Sequence, residues 1–133
     1  MQLHHKIKNI LLSIHFSLAI LWIYQGLVPK IIAKSSDEQR FWAIFSLPEQ
    51  MMFFLINLVG AAEILFGLCF LVLKNKLLIL LHYLNLFAML GFSILVLLVY
   101  PLYFTAAFNP FVMNVAMATL SIVAIQILKI QRT

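Results

Sequence analysis

Cysteine occurs once in this 133-residue chain, as Cys69, so an intramolecular disulfide and any CxxC redox or zinc motif are excluded. Charge is nearly as scarce: Asp, Glu, Lys and Arg make up 10% of the residues, against about 25% in an ordinary soluble domain. The four glycines form no phosphate-cradling loop. What fills the space is apolar. Hydrophobic residues are 65% of the chain and the mean hydropathy is +1.08, whereas soluble domains are about 45–50% apolar. A single core cannot hide so much, because a domain of roughly 150 residues still exposes about 30% of its unfolded-chain surface. The solvent must therefore be largely lipid. The net charge of +5 comes from lysines and arginines that flank apolar runs; placed so, they read as topology signals, and nucleic acid is excluded as a partner.

Charge positions count the spans. No charged residue lies between Asn9 and Pro29, and between Gln50 and Leu73 the one charge is Glu63. Leu77 to Leu128 carries none, and as one helix it would be about 78 Å long, too long for a single crossing. It must fold back at Tyr100-Pro101 and Asn109-Pro110, where an Asn N-cap followed by Pro starts a new helix. The expectation is an all-α, polytopic membrane four-helix bundle, one domain over 1–133, with helices near 9–28, 50–73, 77–99 and 111–128. No internal repeat or low-complexity segment interrupts it.

The basic start followed by an apolar run has the outline of a signal peptide, but no A-x-A-like site follows, so the first helix is expected to be retained. With both termini inside, Lys6, Lys8, Lys74, Lys76, Lys129 and Arg132 lie on the cytoplasmic side and Lys30, Lys34 and Arg40 outside. The positive-inside rule thus gives an N-in/C-in, multi-pass protein of the cell (inner or plasma) membrane. In the first outer connection Ser35-Ser36-Asp37-Glu38 has the form of a capping box, with an apolar face at Phe41, Trp42, Ile44 and Phe45. It predicts a short interfacial helix. Ser46-Leu47-Pro48-Glu49 is a second capping signal before the second span. Trp42, Tyr100, Tyr103 and Phe104 make an outer aromatic belt.

Chemistry must come from polar residues inside the spans, where an acidic side chain costs on the order of 2.5–3.5 kcal/mol on insertion scales. If each uncharged run is centred in the bilayer, Glu63, His15, Asn85, Ser121 and His82 all lie within about 9 Å of the midplane on the cytoplasmic side. These five form the expected polar layer, and Glu63, His15, Asn85 and Ser121 the candidate functional cluster. Helical spacing supports a shared interior: His15, Ala19, Trp22, Gly26 and Lys30 follow one stripe, as do Gly60, Glu63 and Gly67, His82, Asn85, Met89 and Ser93, and Asn114, Ala118 and Ser121. Glu63 has two readings, a hydrogen-bonded packing residue or a functional group. His15 and His82 serve as interhelical glue or, alternatively, as axial haem ligands. No metal-ligand spacing is present, His4 and His5 are expected to be solvated, and Cys69 inert. Lys30 either snorkels to the outer interface or makes a functional contact. In the centred arrangement it lies about 17 Å outside the midplane and about 19 Å from Glu63, so Glu63 is expected to meet His15, Asn85 or Ser121.

The block Trp22-Ile23-Tyr24-Gln25-Gly26-Leu27-Val28-Pro29-Lys30-Ile31, with Ala62-Glu63-Ile64, Gly67-Leu68, Pro101 and Asn109-Pro110, resembles the DoxX-like family over nearly the whole chain. The resemblance implies a small four-helix membrane protein and carries over Gly26, Lys30, Glu63 and Gly67 as motif positions. Where the family pattern has a lysine before the Asn that opens the last helix, this chain has Met113 before Asn114. The family takes its name from a subunit of a membrane thiosulfate and quinone oxidoreductase. The resemblance therefore implies a membrane subunit or accessory protein of a redox system, with an oxidoreductase partner and quinone as the cofactor to consider. The chain alone shows no catalyst. Two other classes stay open: a small proton-coupled exporter working as a homo-oligomer through Glu63, and a single-haem cytochrome using His15 and His82.

Overall fold

Apolar runs without charge form helices because lipid leaves backbone N–H and C=O groups no partner outside the segment. The computed structural model describes residues 2–107 and 109–131. Arg132 of the charge count and the side chain of His4 lie outside the described residues. The order of elements is α1 (Gln2–Gly26), a π-helical segment (Leu27–Ile32), α2 (Ser36–Ala43), α3 (Glu49–Val72), α4 (Asn75–Val99), a 3-10 turn (Pro101–Thr105) and α5 (Pro110–Ile130). Four of these helices, the first counted through the π segment, are long and apolar enough to cross a membrane. The fold is all-helical, of the membrane-bundle class.

The sequence boundaries hold for the last three spans and fail for the first. Helix α1 begins at Gln2, and the helical path continues to Ile32 through Pro29. Proline lacks the N–H that would bond the carbonyl four residues back, and its ring crowds that carbonyl. The helix widens there instead of ending: Ala33 N–H donates to the Val28 carbonyl at 2.8 Å, five residues back, and Ser35 N–H to the Pro29 carbonyl at 2.8 Å. Lys30 thereby sits inside the helical segment.

Contacts divide the chain into two units. In one (residues 16–72), small residues set the packing. A Cβ added to Gly67 would come 2.9 Å from the Ala19 carbonyl oxygen, and one on Gly60 2.7 Å from that of Gly26. Backbones approach this closely only where side chains are absent. Beside them Trp22 and Phe66 meet edge-on at 4.8 Å, and Phe66 meets Phe70 at 5.6 Å. Helix α2 starts as read from the sequence, with the Ser35 hydroxyl accepting from Glu38 N–H at 3.3 Å.

In the other unit (1–15 and 73–133), α4 and α5 run antiparallel along a polar seam. Its start is set by Asn109, whose side chain accepts from Val112 N–H at 3.1 Å with Pro110 in the first helical position. Asn75 opens α4 with φ of 56°, a left-handed conformation that Asn tolerates. On α5 the buried stripe passes through Asn114, Met117 and Ser121. Met117 thus replaces the expected Ala118, a shift of one position on the same face.

Candidate functional site

Among the described residues, each unit holds buried polar side chains that meet one another. In the 16–72 unit they centre on Lys30, only 5% exposed. The lysine does not snorkel outward. Its Nζ lies 2.8 Å from Glu38 Oε1 and 3.0 Å from Glu63 Oε2. Glu63 is itself buried, and its Oε2 has the Lys30 ammonium as its ionic neighbour but accepts no well-directed hydrogen bond. One cation faces two carboxylates, so the group is net negative with both ionised and neutral with one proton bound.

Local structure explains why these three meet. The contacts of Ala19 with Gly67 and of Gly26 with Gly60 fix the antiparallel register of the two helices and set Glu63 opposite Ile23. Lys30 then lies about 10 Å further along the axis, not about 19 Å. Side chains close the remaining gap. Every helical Cα–Cβ bond tilts toward its own N-terminus, which in an antiparallel pair inclines Lys30 and Glu63 toward each other. The expectation that Glu63 meets His15, Asn85 or Ser121 while Lys30 stays at the outer surface is therefore corrected. The glycines, and not the midpoints of the uncharged runs, set the register.

Glu38 was read from the sequence only as the capping-box residue. In a full box its carboxylate would return to the Ser35 N–H, but that donor is already taken by the Pro29 carbonyl. The Glu38 side chain turns to Lys30 instead. The signal for it was its position just past a proline-bearing helix end that carries a lysine.

The second group lies in the 1–15 and 73–133 unit. His15 Nε2 and His82 Nε2 are 3.2 Å apart, His82 Nδ1 is 3.1 Å from Ser121 Oγ, and Asn85 Nδ2 donates to Ser121 Oγ at 2.9 Å and to the Met117 carbonyl at 3.2 Å. Further along the seam Asn114 donates to Ser93 Oγ at 3.1 Å. Of the two facing Nε2 atoms one carries the hydrogen and the other accepts it. The direct contact is that of a hydrogen bond. Among the described residues no three His, Cys, Asp or Glu side chains converge as metal ligands do.

A family model described as the DoxX-like family matches residues 19–122. The chain belongs to the DoxX-like family. Comparison with curated proteins and with solved structures gives no match. In this DoxX-like chain the matched segment holds the whole Lys30, Glu38 and Glu63 group, and the motif positions Gly26, Lys30, Glu63 and Gly67 all lie at the α1 to α3 packing. Among the candidates read from the sequence, His15, Asn85 and Ser121 belong to the His82 network, and Glu63 to the lysine group.

Proposed function

We propose that this integral membrane protein is an accessory subunit of a quinone-linked redox system and that its own contribution is to hold and exchange a proton at Glu63. The observation that carries the reading is Lys30, buried between two carboxylates, with one Glu63 oxygen lacking a directed donor. Ionisable groups inside apolar helices are costly and are kept where they face the interior and serve a pathway or relay. Reduction of a quinone consumes protons together with electrons, and the electron chemistry falls to a partner oxidoreductase. The chain's residues supply a buried carboxylate, a lysine that neutralises it and an apolar wall that excludes water. The proposed setting is the cell membrane, with both termini in the cytoplasm.

The test is Glu63→Gln in the native host. It keeps side-chain shape and hydrogen-bonding capacity while removing the ionisable proton, and leaves Lys30 with Glu38 as its counter-ion. Unchanged protein level with a drop in quinone-dependent respiration of isolated membranes is the expected result. Full respiration with the Gln variant would reduce Glu63 to a packing residue.

A further inference from the structure

Resting on that proton-exchange reading, we infer that Glu38 is the group through which Glu63 gains and loses its proton, with Lys30 as the bridge between them. The three form an unbroken line of polar atoms, 2.8 Å from Glu38 Oε1 to Lys30 Nζ and 3.0 Å from there to Glu63 Oε2. Both steps are within hydrogen-bond reach. Exposure is highest at one end of the line: the side chain of Glu38 is 18% exposed, against 6% for Lys30 and 9% for Glu63. Glu38 is the most exposed of the three.

The placement is built by the chain itself. Proline at position 29 lets the helix carry Lys30 inward, its carbonyl takes the Ser35 N–H, and the Ser35 hydroxyl caps α2 at Glu38 N–H. The Glu38 carboxylate, released from the capping box, points to the ammonium. Among the other charged groups of this unit, Lys34 turns onto the Phe53 ring at 5.3 Å. Asp37 and Arg40 on α2 make interactions of their own, and Glu49 sits in the first turn of α3.

The transfer balances without any further reactant. Lys30 gives one of its N–H protons to Glu63 Oε2 and becomes the neutral amine, whose freed lone pair then takes the proton that the Glu38 carboxylate has received from hydronium, leaving water. Lysine begins and ends as the ammonium. One proton has moved from hydronium to Glu63, and only O–H and N–H bonds have formed and broken.

The experiment uses the full chain in lipid vesicles and infrared difference spectroscopy. The carboxylic-acid carbonyl stretch that is absent in Glu63→Gln identifies Glu63, and its isotope shift after transfer to heavy water times the exchange. Glu38→Gln is expected to keep that band and slow its exchange about a hundredfold, the low end of what a positioned proton donor contributes. Glu38→Asp should restore part of the rate, and Ser35→Ala, which removes the helix cap but no carboxylate, should exchange like the parent. Exchange at the parent rate in Glu38→Gln would overturn the role of Glu38 while leaving proton exchange at Glu63 intact. Equal slowing by Ser35→Ala would also overturn it, assigning the effect to docking of α2. A parent protein in which no Glu63 band responds to pH would remove the proton reading and this inference together.

Discussion

Lys30 and Glu63 meet because each leans toward the other from antiparallel helices whose register is set by Gly26, Gly60, Gly67 and Ala19. The lysine's position could not be found from charge spacing alone. A span bounded by its charges puts Lys30 at the edge, and only a proline tolerated within a widened helix brings it inside. The other buried group depends on one hydroxyl. Ser121 Oγ accepts from Asn85 and shares a hydrogen bond with His82, both fully buried. Ser121→Ala should destabilise the protein by about 1–3 kcal/mol, the cost of leaving a buried polar group unsatisfied, with Asn85 keeping its bond to the Met117 carbonyl. Thermal unfolding in detergent reads the loss; an unchanged midpoint would mean that His82 and Asn85 find other partners.

At the scale of elements, much was legible. The starts of α2 at Ser36 and of α5 at Pro110 follow from side-chain caps that the sequence displays, and the glycine stripe of α3 does lie at a helix contact. Glu38 was not legible as an ion partner, because a capping box and an ion pair use the same carboxylate and sequence does not say that Pro29 occupies the competing donor. Met117 in place of Ala118 on the buried stripe shows the same limit: periodicity finds the face, while side-chain size along it is settled by packing. Glycines test this level. A Cβ on Gly26 would fall against the Gly60 carbonyl oxygen, whereas one on Gly91 meets nothing within 4 Å. Gly26→Ala should cost about 1–3 kcal/mol through overpacking, and Gly91→Ala should stabilise by up to about 1 kcal/mol through helix propensity. Similar shifts of both variants would show that the close approach at Gly26 is not what holds these helices.

For the whole molecule, four apolar helices and the DoxX-like match describe an integral membrane protein. Lysine and arginine asymmetry predicts that reporters fused at the N-terminus, at residues 74–76 and at the C-terminus all report cytoplasm; a signal from the far side at 74–76 would invert the arrangement. The account turns, however, on one cation buried between two carboxylates. Exchanging the charges tests it most directly, by measuring the folded, membrane-inserted protein for Lys30→Glu, Glu63→Lys and the double variant. Each single change leaves uncompensated buried charge, worth about 3–5 kcal/mol when one partner of a buried pair is lost, and should remove most of the folded protein. The double variant restores one cation to two carboxylates and should recover it. Single variants that fold as well as the parent, or a double variant no better than the worse single, would contradict the ion group as the centre of this protein.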